Sequence, residues 1–303
     1  MSLTDKEELS IRRTIDRALS EDDAYADLTT FICIENDTHI EAVITAQQTA
    51  TVVALFVIPW VFHTLDPTIE IELLIEEGTR VQKGTPLAII RGKVHPLLNA
   101  ERTALNLLQH ASAVATLTSR FLDEIIDFPC DILDTRKTLP GLRALQKYAV
   151  RSSGGKNHGF SLADRILIKD SHLQLLSQDA EEPIYTAIKR AREFKPDAPI
   201  EIEITNLDQL EAALYAKADI ILLDNMPLDM MRKAVELNQG QAYLEASGRI
   251  TLDNVRAIAS TGVNGISIGA LTHSAPAIDI NMKFFHLRQE IINHGIHTQR
   301  AYL

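Results

Sequence analysis

After Phe128 the sequence alternates between short apolar runs and longer amphipathic segments, and this alternation constrains the fold more than any other feature. Six runs have the length and composition of strands: 131–133, 166–168, 200–204, 219–223, 242–245 and 265–268. Helices are predicted between them at 140–152, 179–193, 207–216, 228–236 and 252–260. Such alternation is typical of a parallel sheet covered by helices. We therefore predict an α/β fold with an irregular parallel α/β barrel of about six βα units.

The first hundred residues have a different, strand-rich pattern. Thr4 and Glu7 have capping-box spacing, and apolar residues at helical intervals predict a helix over 5–20. An acidic, turn-like stretch at 21–30 precedes predicted strands at 39–46, 51–57 and 69–75. This region predicts a small β-rich layer.

Two further helices are predicted outside the alternating region. An apolar stripe over 99–122 predicts a long helix with Arg102 in its first turn, where the helix dipole disfavours a cation. An arginine there is either solvated or held by an anion. A second amphipathic helix, from Phe284 to Ile292, could pack back on the N-terminal region.

Composition excludes several classes of protein. The chain has 303 residues and a net charge of −11, and its two cysteines are far apart. That cysteine usage predicts a reduced, cytoplasmic protein without a zinc site. The N-terminus shows no secretory signal, and the longest apolar run, 51–62, is shorter than the roughly 20 residues of a membrane span. We expect neither a membrane nor a nucleic acid as partner, because no basic tract or aromatic-interleaved basic stripe is present.

One segment reverses the sign of the overall charge. Residues 134–169 carry eight lysines and arginines against two aspartates. A cationic segment within an acidic protein can bind a small polyanion without attracting nucleic acid to the whole surface. Arg136 and Lys137 follow the first predicted strand of the alternating region, and Lys169 follows the second. Residues at the carboxyl ends of barrel strands line active sites.

All six predicted strands end in polar or glycine residues, which form three groups. The cationic group is Arg136, Lys137, His158 and Lys169, and the acidic group is Glu203 and Asp224. A third group of small residues is formed by Ser247, Gly248 and Gly269. Small residues suit a phosphate bound by backbone amides, carboxylates suit sugar hydroxyls or Mg²⁺, and cations suit carboxylate or pyrophosphate groups.

Each of these residues alone also fits a simpler interpretation. Lys169 at a barrel strand end could instead form a Schiff base, as in class I aldolases. His158 alone is more often structural, and the two carboxylates alone more often cap loops. The helix predicted at 140–152 carries Arg143, Lys147 and Arg151, which we expect to be solvated rather than catalytic.

The motifs DTRKTLPGLRALQKYAV, GGKNH and LADRILIKDSH resemble the signature of the quinolinate phosphoribosyltransferase family. The resemblance extends to ERTALNLLQHASAVAT, IEIEITNLDQL, ADIILLDNM, EASGRITLDNV and GISIGALTHSAPAIDI, and covers nearly the whole chain. It implies an N-terminal open-faced α/β sandwich domain over 1–128, joined by a C-terminal helix over 279–303, beside a barrel domain over 129–278. It also implies a homodimer in which each sandwich caps the partner's barrel.

The resemblance implies that quinolinate and phosphoribosyl pyrophosphate (PRPP) react with Mg²⁺ to give nicotinate mononucleotide, pyrophosphate and CO₂. Lys137, Lys169, Glu203 and Asp224 would be catalytic, and the last two would lie near Mg²⁺, holding it indirectly or through PRPP. The implied substrate-binding residues are those four together with Arg102 from the partner subunit, Thr135, Arg136, His158, Ser247, Gly248, Arg249 and Gly269.

One position departs from the family pattern. Gly159 stands where the family usually has an arginine that binds a quinolinate carboxylate. Losing one charge-assisted hydrogen bond costs roughly 1.5–3 kcal/mol. Lys156 or Arg165 could replace that arginine, or affinity is reduced, or the substrate has changed. Ser171 is a milder departure, in a position where the family usually has asparagine.

Three functions therefore stay open at this point. The first is the phosphoribosyltransferase of NAD biosynthesis. The second is a paralogue of the same fold that acts on a different acid acceptor, such as relatives associated with molybdate transport. The third is a non-catalytic protein that binds a phosphoribosyl ligand. The length and text of the first motif favour the first of these, and Gly159 keeps the others open.

Overall fold

The computed structural model describes residues 2–35 and 38–286 of the chain. The N-terminal region consists of helices α1 (Asp5–Glu21), α2 (Leu28–Cys33), α3 (Val57–Leu65) and α4 (Val94–Glu124) and strands β1 (His39–Ala46), β2 (Ala50–Val52), β3 (Glu70–Leu73), β4 (Thr79–Val81) and β5 (Pro86–Lys93). The capping box predicted from Thr4 and Glu7 is confirmed at the start of α1. Helix α1 buries Ile11, Ile15 and Leu19, whose spacing places them on one face.

One predicted strand of this region is wrong. The run 51–57 is a strand only to Val52, and α3 begins at Val57. Pro59 lies in the first turn of α3, where a proline is tolerated because its missing N–H would have no helical partner. Nearly every residue of the run is buried. Its apolar composition therefore reflects burial, which is common to buried strands and buried helices, and does not identify a strand.

Helix α4 is longer than predicted, and this changes the interpretation of Arg102. The helix begins at Val94, so Arg102 lies in its third turn and not in its first. The dipole argument for an anion at Arg102 is therefore wrong, because that effect is confined to the terminal turn. Helix α4 packs against α3 and β2 on the N-terminal side and extends towards the second half of the chain.

The second half contains the predicted parallel sheet. Its strands are β6 (Asp131–Leu133), β7 (Ile166–Ile168), β8 (Ile200–Ile204), β9 (Ile220–Asp224), β10 (Tyr243–Ser247) and β11 (Gly265–Ser267). Its helices are α5 (Arg143–Ser152), α6 (Asp170–Leu176), α7 (Pro183–Phe194), α8 (Leu207–Tyr215), α9 (Leu228–Asn238), α10 (Leu252–Ala259) and α11 (Ala270–His273). Helix α6 was not predicted, and α7 begins later than expected. The α/β fold class with its parallel six-stranded sheet is confirmed.

The strand order in the parallel sheet is β6-β11-β10-β9-β8-β7, which leaves β6 and β7 at its two edges. Lys156 extends the β6 edge through a single parallel bridge to Leu133. All neighbouring pairs are parallel, so the six strands have their carboxyl ends at the same end of the sheet, here called its carboxyl edge. Helices α5, α10 and α11 pack against α4, which therefore connects the two halves of the molecule.

The chain returns to the N-terminal region as a strand, where a helix was predicted. Strand β12 (Ile280–His286) pairs antiparallel with β1 and completes a sheet of order β12-β1-β5-β3. The predicted C-terminal helix over 279–303 is thus wrong for its first residues, and the remainder of that prediction lies outside the described residues.

Among the residues that are described, no helix is both long and apolar enough to cross a membrane.

Candidate active site

The predicted acidic pair lies at the carboxyl ends of two adjacent strands. Glu203 is near the end of β8, and Asp224 is the last residue of β9. Glu203 aligns with Leu222 and Asp224 with Ser247, so the acidic pair and the start of the small-residue group share one edge of the sheet. Lys169 follows β7 directly at the same edge.

The charges of these residues act on one another. Burial, then repulsion from Asp224 and Asp170, raises the pKa of the half-buried Glu203, and Lys169 and Lys137 oppose the shift. Glu203 is thus close enough to Asp224, Lys169 and Lys137 for their charges to affect its ionisation. Oxygen ligands of this kind suit a hard cation such as Mg²⁺, and the repulsion between them is what a divalent cation would relieve.

The small-residue group forms a tight backbone turn beside the acids. Gly248 has a φ of +99°, and a β-carbon there would overlap the side-chain amide of Asn225. The backbone N–H of Asn225 donates to the carbonyl of Ser247, so the ends of β9 and β10 are joined. Arg249, with a φ of +52°, continues the turn. Glycine at 248 is therefore required by both conformation and space.

Gly269 lies where the loop after β11 meets the loop after β6. A β-carbon at Gly269 would lie 3.0 Å from Cδ of Lys137 and 3.1 Å from Nε2 of His273. The hydroxyl of Thr272 donates to the carbonyl of Lys137 at 2.8 Å. The loop after β6 is thus held against the loop after β11, with the exposed end of Lys137 beside Gly269.

The loop after β6 presents the first cationic residues. The backbone N–H of Lys137 donates to Oγ1 of Thr135 at 3.0 Å, which fixes the turn. Nε of Arg136 is buried and has no hydrogen-bond partner within the described part of the chain. An unpartnered buried guanidinium nitrogen is costly, and an anionic ligand would satisfy it.

His158 lies deeper than the sequence suggested. Its Nε2 is 3.0 Å from Oε1 of Glu201 and 3.7 Å from Oε1 of Glu245, and the three side chains are buried. Burial acts against ionisation of Glu201, but His158 and Arg165 outweigh it and lower the pKa of that carboxyl. Burial and then repulsion from Glu201 raise the pKa of Glu245 to about 7.

Sequence reasoning missed Glu201 and Glu245, which lie on the interior side of β8 and β10. Their ligand atoms and those of His158 lie within 4.8 Å of one another, as a metal site would require. Glu201 is already bonded to both His158 and Arg165, so we interpret this cluster as a buried ionic network. The signal available in the sequence was the period-two pattern Ile200-Glu201-Ile202-Glu203 within a buried strand.

The expectation that the cations of α5 are solvated is wrong. Lys147 is 1% exposed and bonded to the buried carboxylate of Asp134 and to the carbonyl of His158. Arg143 donates to the carbonyls of Phe160 and Arg136. Arg151, which is partly buried, pairs with Glu7 of α1 at 2.9 Å. These cations hold the loops of the site in place.

Arg102 is not brought to the other predicted residues within a single chain. It is exposed on α4 and forms no hydrogen bond or ion pair with any described residue. Its predicted role across a dimer is therefore not tested by this structure. The remaining predicted residues all lie at or just below the carboxyl edge of the parallel sheet.

Comparison with known proteins agrees with this arrangement. The family models for the C-terminal and N-terminal domains of quinolinate phosphoribosyl transferase match residues 114–283 and 27–112. The nicotinate-nucleotide pyrophosphorylase [carboxylating] of Mycobacterium leprae is 39% identical over 288 residues, covering 92% of this chain and 99% of that protein. The chain belongs to the quinolinate phosphoribosyltransferase family.

Solved structures of the family have the same fold. The nicotinate-nucleotide pyrophosphorylase of Francisella tularensis matches with a TM-score of 0.86 and 35% identity, covering 91% of this chain and 96% of its own. NadC from Streptococcus pyogenes matches with a TM-score of 0.88 and 33% identity, covering 95% and 99%. In both cases the match spans the N-terminal region as well as the parallel sheet.

Proposed function

We propose that this chain transfers the phosphoribosyl group of PRPP to quinolinate with decarboxylation, giving nicotinate mononucleotide, pyrophosphate and CO₂ in NAD biosynthesis. Family membership over most of the chain supports this function over the paralogue and sensor alternatives, because the similar proteins are named for this activity. The observation that carries the proposal is that Lys169, Glu203 and Asp224 lie at the carboxyl ends of β7, β8 and β9, which are neighbours in one parallel sheet.

The cationic group would bind the acceptor and the leaving group. Arg136 has a buried nitrogen without a partner among the described residues, and Lys137 and Lys169 are exposed at the strand ends. Quinolinate carries two carboxylates, and the departing pyrophosphate develops further negative charge. Cations that are already in position stabilise such charge without reorganising during the reaction.

The remaining groups would hold the ribose 5-phosphate portion. Glu203 and Asp224 face the lysines and are suited to the ribose hydroxyls. The turn Ser247-Gly248-Arg249 and Gly269 provide backbone N–H groups and space for the 5′-phosphate. The pyridine nitrogen attacks C1 of the ribose as pyrophosphate leaves, and alignment of the two substrates contributes through proximity.

Decarboxylation follows from the product of that attack. Once the ring nitrogen is quaternised, CO₂ leaves from the adjacent carboxylate, and its bonding electron pair stays on the ring carbon, where the neighbouring positive nitrogen stabilises it. That carbon then takes a proton from water to give nicotinate mononucleotide. No protein nucleophile is needed for either step. The protein's contribution is to hold the ring carboxylates and to balance charge.

Mg²⁺ is the proposed cofactor. Glu203 and Asp224 fit it, because two mutually repelling carboxylates offer the hard oxygen ligands that it prefers. When bound, Mg²⁺ would neutralise charge on the pyrophosphate of PRPP. We propose that these residues hold it indirectly or through PRPP.

We also propose a homodimer in which Arg102 reaches the neighbouring active site. An exposed arginine without a partner among the described residues is compatible with this role. The apolar residues Leu28, Phe31 and Ile32 of α2 are each more than 70% exposed, which is compatible with a covering partner. The free thiols of Cys33 and Cys130 suit the proposed cytoplasmic location.

The acceptor is tested by product formation from a panel of pyridine acids. The purified chain is incubated with PRPP, MgCl₂ and either quinolinate, nicotinate or isonicotinate, and nucleotides are resolved by chromatography. Of the three acids, we expect only quinolinate to give a nucleotide, and we expect that nucleotide to be nicotinate mononucleotide. A nucleotide formed only from another acid would support the paralogue, and PRPP binding without any product would support the sensor.

A further inference from the structure

Arg165 is a cation of the interior that has no part in the strand-end groups. It precedes β7 directly, and its Nη1 is 2.7 Å from Oε2 of the buried Glu201. The Arg165 side chain is 20% exposed, whereas the Glu201 side chain is fully buried. The guanidinium is therefore paired with a buried carboxylate, while part of the Arg165 side chain stays exposed.

The side chain of Arg165 lies next to the space that a side chain at position 159 would need. A β-carbon at Gly159 would lie 3.3 Å from Cγ and 3.4 Å from Nε of Arg165. Gly159 does not have the positive φ that would require glycine. Glycine at this buried position therefore makes room for the Arg165 side chain, which passes next to His158.

The neighbouring cations are already committed elsewhere. Lys156 pairs with Asp131 at 2.8 Å, so its ammonium group already has a carboxylate partner. Lys147 is bonded to Asp134, and the guanidinium of Arg143 to Thr138 and backbone carbonyls. Arg165 contacts Glu201 through Nη1 alone, so within the described residues its Nε and Nη2 have no hydrogen-bond acceptor.

We propose that Arg165 binds a carboxylate of the acceptor beside His158, and that Glu201 is the positioning residue that holds its guanidinium. This inference rests on the proposed quinolinate activity. A guanidinium with one nitrogen anchored still offers two donors to a carboxylate, in a planar geometry that lysine lacks. Arg165 would thus be a determinant of acceptor specificity contributed from the loop before β7.

The test compares Arg165→Gln with the matched control Lys156→Gln. Glutamine can still donate to Glu201 but carries no charge. We expect Arg165→Gln to raise the KM and the calorimetric Kd for quinolinate by about 10- to 100-fold. The KM for PRPP and the melting temperature should change little, and Lys156→Gln should change neither affinity.

Gly159→Arg provides a rescue. Alone, it should leave the quinolinate KM unchanged or higher, because Arg165 already fills the space. Combined with Arg165→Gln, it should recover most of the lost quinolinate affinity. Should Arg165→Gln lower the melting temperature, Arg165→Lys, which keeps the pair with Glu201, should still raise the quinolinate KM.

Wild-type affinity for quinolinate in Arg165→Gln, or in Arg165→Lys where the first variant unfolds, would overturn the role of Arg165. So would the same loss of affinity in Lys156→Gln. In either case a wild-type protein that turns over quinolinate leaves the proposed function standing. A wild-type protein that neither binds nor turns over quinolinate would reject the proposed function itself.

Discussion

Lys169 and Lys147 belong to the same cationic segment and have opposite surroundings. Lys169 is exposed at the end of β7, whereas Lys147 is buried and bonded to Asp134. We propose that the exposed Lys169 binds a ligand, whereas the buried pair of Lys147 and Asp134 holds the loop after β6. Replacing Lys169 should therefore lower activity, whereas replacing Lys147 should lower stability.

Lys169→Ala should lower kcat by about 100-fold or more, because a charge that stabilises the transition state is lost. Its melting temperature should stay within about 2 °C of wild type. Lys147→Met should instead destabilise the fold by about 3–5 kcal/mol, since it leaves Asp134 buried without its cation. Steady-state kinetics and thermal melts check both. A large drop in melting temperature for Lys169→Ala would favour a structural role for that residue.

Glu245 makes stability depend on pH. Its pKa is raised from an ordinary value of 4.5 to about 7, so the folded state holds the proton more tightly than the unfolded state. Its contribution is fully present below pH 4.5 and is lost as pH rises through about 7. Glutamine imitates the protonated form and removes this dependence.

Glu245→Gln should therefore match wild type near pH 4 and exceed its stability at pH 8 by on the order of 3 kcal/mol. Urea unfolding at several pH values measures the difference. Parallel pH profiles for the two proteins would contradict the raised pKa of Glu245.

At the scale of elements, the site depends on how the loops after β9 and β10 interlock. Gly248 lies against Asn225, which follows Asp224, so the turn Ser247-Gly248-Arg249 adjoins the acidic group. Gly84 has a similar φ of +89°, but a β-carbon added there would have no neighbouring atom within 4 Å. It therefore provides a control with the same backbone cost and no steric effect.

Gly248→Ala should raise the KM for PRPP by about 10-fold or more, because Asn225 and the turn must move. Gly84→Ala should cost about 1 kcal/mol of stability and leave the KM unchanged. Kinetics with varied PRPP distinguish the two effects. An unchanged KM in Gly248→Ala would mean that this turn does not bind the phosphate.

The strands of the parallel sheet could be predicted from the sequence because each is a short apolar run bounded by polar residues. The errors arose where composition does not determine conformation. The apolar run 51–57 is largely buried although it is part strand and part helix, and the segment after Ile280 forms an edge strand only because β1 is available to pair with it. That pairing joins residues far apart in sequence.

That the strand-end residues lie together was also predictable, since parallel strands bring their carboxyl ends to the same end of the sheet. The buried network of His158, Glu201 and Glu245 and the buried pair of Lys147 with Asp134 were not, because sequence alone does not tell a solvated charge from one paired in the interior. Arg165 was one of two candidates to replace the missing arginine. The structure distinguishes Arg165 from the other candidate, Lys156, because Arg165 lies next to Gly159 whereas Lys156 is paired with Asp131.

At the scale of the whole molecule, assembly and activity are linked through Arg102. If Arg102 completes the neighbouring site, Arg102→Ala and Lys169→Ala should each be inactive alone. A mixed dimer then has one intact site, so random exchange of subunits should restore about one quarter of wild-type activity. Activity is measured after mixing and incubation. No recovery despite proven subunit exchange would show that Arg102 does not act across the interface.

We propose that the cationic group, the acidic group and the small-residue group at the carboxyl end of the sheet act together on quinolinate and PRPP. The most direct measurement uses quinolinate labelled in the carboxyl group next to the ring nitrogen, with PRPP and MgCl₂. We predict release of labelled CO₂ in equal amount to pyrophosphate, dependent on both substrates. Pyrophosphate release without labelled CO₂, or no release of either, would contradict the claim.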